Sequence, residues 1–122
     1  MPAKVVDASV VAAWCFREPR AAEALRLLHG FELHAPMLLA YELTSIARRK
    51  SEVQPDQVDL FSDALNTALR LPIHWSDVDH LAVLRLALRR GISTYDASYL
   101  HLAQTLGVQI STFDQKLEKA AK

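Results

Sequence analysis

The sequence predicts an α/β fold, a short parallel sheet with helices on both faces, and three observations predict it. Short extended or β-branched runs alternate with helical stretches of roughly ten residues or more, the pattern of a parallel sheet wrapped by helices. All three glycines, Gly30, Gly91 and Gly107, directly follow an apolar helical stripe, where a helix stop belongs. The 122 residues hold 51% hydrophobic side chains and no linker, repeat or low-complexity tract, so residues 1–122 are expected to form one domain around one core.

The elements follow in order. Lys4-Val5-Val6-Asp7 reads as a buried first strand, because β-branched side chains suit a pleated surface. Ala8 to Trp14 continues without a break as a helix. Glu18-Pro19-Arg20 starts the next helix, since proline costs nothing in a first turn; Ala21, Ala24, Leu25, Leu27 and Leu28 form its stripe. Phe31 to Ala35 is a second strand ended by Pro36. Met37 to Lys50 is a third helix finishing in Arg48-Arg49-Lys50, a positive end that complements the helix dipole. Pro55 opens another, with Val58, Phe61, Leu65 and Leu69 on one face. Leu71 to Trp75 is extended, and Ser76 is the expected N-cap of a helix reaching Arg90. Asp96 to Leu106 is a further helix and Val108 to Thr112 a last strand. Lys119 to Lys122 are expected to fray.

Composition narrows the function. Fourteen basic and fourteen acidic side chains cancel, which argues against broad electrostatic adhesion to nucleic acid or membrane while leaving room for a local patch. No apolar run approaches the roughly 20 residues of a bilayer span, and the start Met1-Pro2-Ala3-Lys4 has no signal-peptide character. The lone Cys15 excludes an internal disulfide and fits a reducing compartment, so a cytoplasmic location is expected.

Most of the acids have ordinary explanations. Glu18, Glu23, Glu52, Asp56, Asp59, Asp63, Asp77 and Asp79 fall near helix starts or on polar faces. Asp7 and Asp114 stand instead at the carboxyl ends of the first and last strands, the edge at which open α/β sheets bind ligands. Glu42 is embedded in apolar Met37–Leu43, where an unpaired carboxylate is expensive, and Asp96 lies at a helix start. Helix capping explains Asp7, Asp96 or Asp114 equally well when each is taken singly. Together, four carboxylates at one rim would repel; two charges 4 Å apart cost about 4 kcal/mol at an effective dielectric of 20. A cation or protons must compensate, and oxygen-only ligands select Mg²⁺ or Mn²⁺ over zinc.

In order, Val5-Val6-Asp7-Ala8-Ser9-Val10-Val11, Tyr41-Glu42-Leu43, Thr94-Tyr95-Asp96-Ala97-Ser98-Tyr99-Leu100 and Ser111-Thr112-Phe113-Asp114 resemble the acidic motifs of PIN-domain proteins, and the size is most similar to VapC toxins of toxin–antitoxin modules. The resemblance spans Val5 to about Leu117. It implies a Rossmann-like sheet and an Mg²⁺- or Mn²⁺-dependent endoribonuclease. The metal and catalytic role passes to Asp7, Glu42, Asp96 and Asp114, with Ser9 and Thr112 as supporting hydroxyls. Many relatives carry Asn three residues after the motif glutamate; Ser45 stands here and retains a hydrogen-bonding hydroxyl. The resemblance also implies an RNA substrate, a cognate VapB-type antitoxin and a homodimer. The competing class is a non-catalytic PIN-like module acting through a protein partner.

Other signals are weaker. Arg48-Arg49-Lys50 and Arg89-Arg90 are the nearest candidates for phosphate contacts, although a solvated helix end explains both. The five histidines show no His-x-His or His-x-x-x-His spacing, which predicts no zinc site. Cys15 lies amid Trp14 and Phe16 and reads as core packing, and the stripe Leu60-Phe61, Leu65, Leu69 as core or dimer surface. No glycine-rich phosphate loop is present. Lys116 follows Asp114 within a helix instead of standing on a late strand, which speaks against a phospho-accepting signalling domain.

Overall fold

A computed structural model describes residues 1–122 as a four-stranded sheet in the order β3-β2-β1-β4 with every pair parallel. The strands are β1 (Ala3–Val6), β2 (Glu32–Pro36), β3 (Ile73–Ser76) and β4 (Gln109–Ser111). Helices α1 (Ala8–Cys15) and α2 (Ala21–Leu28) connect β1 to β2, and α3 (Leu38–Val53) and α4 (Val58–Leu69) connect β2 to β3. Helices α5 (His80–Arg90) and α6 (Thr94–Leu106) connect β3 to β4, and α7 (Gln115–Ala121) follows.

Chirality explains the layers. The chain steps outward from β1 through β2 to β3, then returns across β1 to place β4 on its other side. Right-handed crossovers in opposite directions deposit their helices on opposite faces. Accordingly α1, α2, α3 and α4 pack among themselves, while α5 packs on α6, and α6 on β1 and β2. Helices do lie on both faces, as the alternation predicts.

The core is built from small and branched side chains. Val5, Val6, Val10, Val11, Leu39, Leu43 and Leu117 are fully buried, and Tyr99 is the largest side chain so enclosed. Gly91 and Gly107 end α5 and α6 in the left-handed conformation, at φ 63° and 69°. A Cβ built on either meets nothing within 4 Å, so only backbone preference opposes substitution. Gly107→Ala is therefore expected to lose about 1 kcal/mol, read as a lower denaturation midpoint at unchanged m-value.

Several boundaries depart from the sequence expectation for identifiable reasons. Ser76 does not cap α5: it pairs with Pro36 as the last residue of β3, and its carbonyl accepts from the Met37 N–H. The cap is Asp79, whose carboxylate accepts from the Leu81 and Ala82 amides at 3.0 and 3.1 Å. Pro55 opens a single 3₁₀ turn before α4 begins at Val58. Helix α6 starts at Thr94, two residues before Asp96, because Ser93 is its cap. The C-terminal segment does not fray at Lys119; α7 continues to Ala121, anchored by buried Leu117 and by the Arg90 guanidinium, which donates to the Ala120 carbonyl. The Leu60 stripe is split, with Phe61 set against Phe16 at 6.4 Å between ring centroids and Leu60 exposed. Cys15 packs against the core as expected, and burial raises its thiol pKa to about 11. No helix is long and apolar enough to cross a membrane.

Candidate active site

The reversal of strand order between β1 and β4 opens a crevice at the carboxyl ends of those two strands, the position at which doubly wound sheets bind ligands. Asp7 leaves β1 directly into it and is buried. The same carboxylate caps α1: Oδ1 accepts from the Ser9 and Val10 amides at 3.1 and 3.3 Å and from the Ser9 hydroxyl at 2.6 Å. Oδ2 accepts from the Thr112 hydroxyl, just beyond β4. Capping and a place at the crevice are thus not alternatives for Asp7. Ser9 in turn accepts from the Phe113 amide at 2.9 Å, and Thr112 from the Asp114 amide at 2.9 Å, so both hydroxyls lock β4 and its following turn onto β1.

Glu42 projects from α3 and is half-buried. The Tyr99 hydroxyl donates to its Oε1 at 2.6 Å. Tyr99 stands three residues after Asp96 on α6, hence on the same helical face. Sequence reasoning missed this tyrosine as a partner of Glu42; the Asp96-x-x-Tyr99 spacing was the available signal. Its phenol pKa is raised strongly, first by burial and then by the Glu42 charge. Tyr99 is therefore a fixed donor to Glu42. Tyr99→Phe should leave the core packed but remove the hydrogen bond that fixes Glu42, costing about 1 kcal/mol or more of stability, read as a lower denaturation midpoint with an unchanged circular-dichroism spectrum.

Electrostatics tie the acids together. Burial raises the pKa of Asp7 against the pull of its Ser9 and Thr112 hydrogen bonds. Glu42 is raised by burial, opposed by Tyr99, and raised again by the Asp7 and Asp96 charges. Asp96 is raised by burial, then by Asp114 and Asp7. The four thus share one field, with Asp114 at its exposed margin, where it caps α7 through the Leu117 amide at 3.0 Å. No three of them stand at ligand contact: the only three Asp, Glu, His or Cys ligand atoms within 4.8 Å of each other belong elsewhere, to Glu32, His34 and His74. Wider spacing of the acids suits Mg²⁺, which keeps several waters and takes only one or two carboxylates directly. The all-oxygen donor set and a negative field that Arg49 and Lys116 offset only in part fit such an ion.

Ser45 does not reach Asp7 or Glu42 by any hydrogen bond; its hydroxyl accepts from Arg49 at 3.0 Å, one turn along α3. Of the basic candidates, Arg48 pairs with Glu52 at 2.9 Å and Lys50 with Glu18 at 2.8 Å. Arg49 alone of the three makes no direct ion pair, although its charge acts on Glu42, and it lines both a cleft with Ser9 and Phe113 and a cleft with Glu42, Tyr41 and Tyr95. Arg90 is engaged by α7, as described above.

The PIN domain family model matches residues 4–122. The chain is 32% identical to Ribonuclease VapC3 of Pyrobaculum aerophilum, over 93% of this chain and 90% of that protein. It is 33% identical to Ribonuclease VapC9 of Mycobacterium tuberculosis, over 93% and 87% of the two chains. Among solved structures, PAE2754 from Pyrobaculum aerophilum superposes with a TM-score of 0.81 at 24% identity, covering 99% of this chain and 81% of that one, a likeness of fold. The alternation of strands and helices, the crevice between β1 and β4 and these relatives lead to one conclusion: the chain belongs to the PIN-domain family, and its relatives there are VapC proteins.

Proposed function

We propose that the protein is a VapC-type endoribonuclease that hydrolyses RNA phosphodiester bonds with Mg²⁺ or Mn²⁺ held by Asp7, Glu42, Asp96 and Asp114. The observation that carries this reading is the shared field of four carboxylates drawn from α3, α6 and the ends of β1 and β4. Ser9 and Thr112 fix the Asp7 carboxylate in position, and Tyr99 fixes that of Glu42. The ion supplies a lowered pKa for a bound water and charge neutralisation at the phosphate. A carboxylate that does not ligate, its pKa already raised by burial, accepts the proton of the attacking water.

The surroundings suit single-stranded RNA. Tyr41 and Tyr95 are exposed and line the Glu42 cleft, where an aromatic face can stack on an unpaired base. Arg49 on the same cleft supplies a phosphate contact. By the likeness to VapC proteins, a cognate VapB-type antitoxin covers the site, the toxin is a homodimer and the reaction is cytoplasmic. The test is incubation of total RNA with the purified protein, with Mg²⁺ or Mn²⁺ and with EDTA, followed by mapping of cleaved ends. Metal-dependent cleavage at defined positions is expected. Cleavage that survives EDTA overturns the metal assignment, and no cleavage of any RNA favours the non-catalytic binding module.

A further inference from the structure

We propose a second metal site, for a zinc-like transition ion, formed by Glu32, His34 and His74 on the β2–β3 half of the sheet. It lies apart from the acidic crevice, and it owes nothing to the ribonuclease reading.

The strand register builds it. His34 and His74 are directly paired positions on neighbouring parallel strands, so their side chains leave the same face side by side. Their rings stack, with centroids 4.7 Å apart and planes 21° from parallel. Glu32 is two residues before His34 on the same strand and so shares that face. Its Oε1 lies 3.0 Å from His34 Nε2 and 3.3 Å from His74 Nε2. The edge of a tetrahedron with metal–ligand bonds of 2.0–2.1 Å is about 3.3 Å; Glu32 Oε1 stands near that spacing from each imidazole and all three atoms lie within 4.8 Å of one another, so a turn of the stacked rings would bring both nitrogens onto one ion.

The chemistry selects the ion. Two imidazoles with one carboxylate suit zinc and its neighbours, in contrast to the oxygen-only acids of the crevice, which suit magnesium. Three protein ligands leave a fourth position for water or an outside group. His34 is largely enclosed while His74 is exposed, which gives the ion a path in from solvent. Bound metal would clamp the edge strand β3 to β2. The sequence hid the site because His34 and His74 are distant along the chain and only the parallel register joins them.

The test is calorimetric titration of the full chain with Zn²⁺ in excess Mg²⁺, added to compete for the oxygen-only acids of the crevice. One equivalent is expected to bind, and Co²⁺ in its place should give the intense visible bands of a four-coordinate nitrogen and oxygen site. His74→Ala, at an exposed position that the fold tolerates, and Glu32→Gln should each weaken Zn²⁺ binding by about tenfold or more. Asp96→Asn should leave it unchanged. Absence of Zn²⁺ binding to the unaltered chain, a smaller loss in both His74→Ala and Glu32→Gln, or loss of binding in Asp96→Asn overturns the proposal. Failure of RNA cleavage does not bear on it.

Discussion

Asp7→Asn is expected to reduce metal-dependent RNA cleavage by roughly a hundredfold to ten-thousandfold, the scale of several kcal/mol of transition-state stabilisation. Asparagine is nearly isosteric, and its carbonyl oxygen can still accept from the Ser9 and Val10 amides that start α1. What it loses is the negative charge and the second acceptor oxygen that receives the Thr112 hydroxyl. A folded but inactive variant is the expected result, with circular dichroism retained and Mg²⁺ binding weakened. Full activity in Asp7→Asn would remove Asp7 from the metal site.

Asp96→Asn should separate activity from stability. Cleavage is expected to fall by about a hundredfold or more, yet the metal-free protein should melt slightly higher at neutral pH, the gain being small because Asp96 is partly solvated. The sign follows from linkage. Asp96, Glu42 and Asp7 have folded pKa values above their ordinary values of 3.8, 4.5 and 3.8. Between the ordinary and the folded value the native state holds more protons than the unfolded chain, so stability declines as pH rises through that interval. Above it, the cost of burying like charges is fully present. Asparagine at residue 96 relieves part of it, and Mg²⁺ relieves it in the unaltered protein. The gain in melting temperature should therefore vanish below the ordinary carboxylate range and shrink when Mg²⁺ is added. A melting temperature unchanged at every pH would show that Asp96 does not share the field of Asp7 and Glu42.

Much of this site was legible in local sequence. Val5-Val6 before Asp7 and Ile110-Ser111-Thr112 before Asp114 mark strand ends by β-branched character, and ligands meet parallel sheets at those ends. Glu42 stood out because a carboxylate in an apolar stretch needs a reason. The missing parts are mostly non-local. Strand order, which puts the crevice between β1 and β4, depends on pairings across the whole chain. The Tyr99–Glu42 bond joins residues 57 positions apart. Ser76 misled because a good capping residue was claimed by pairing in β3, and Asp79 was free to cap instead. Ser45 has the right chemistry beside Glu42, but Arg49 one turn along the helix engages it.

The hydrogen bond from Thr112 to Asp7 spans 105 positions, and β4 must dock beside β1 before it can form. During synthesis chains fold from the N-terminus first. While β4 is still inside the ribosomal tunnel, Asp7 has emerged without its threonine partner, and Asp114 is not in place. Until β4 docks, the acids therefore stand in an unlocked arrangement. Only docking of the late strand completes the set, so the acidic site cannot be assembled before the last strand of the sheet is in place.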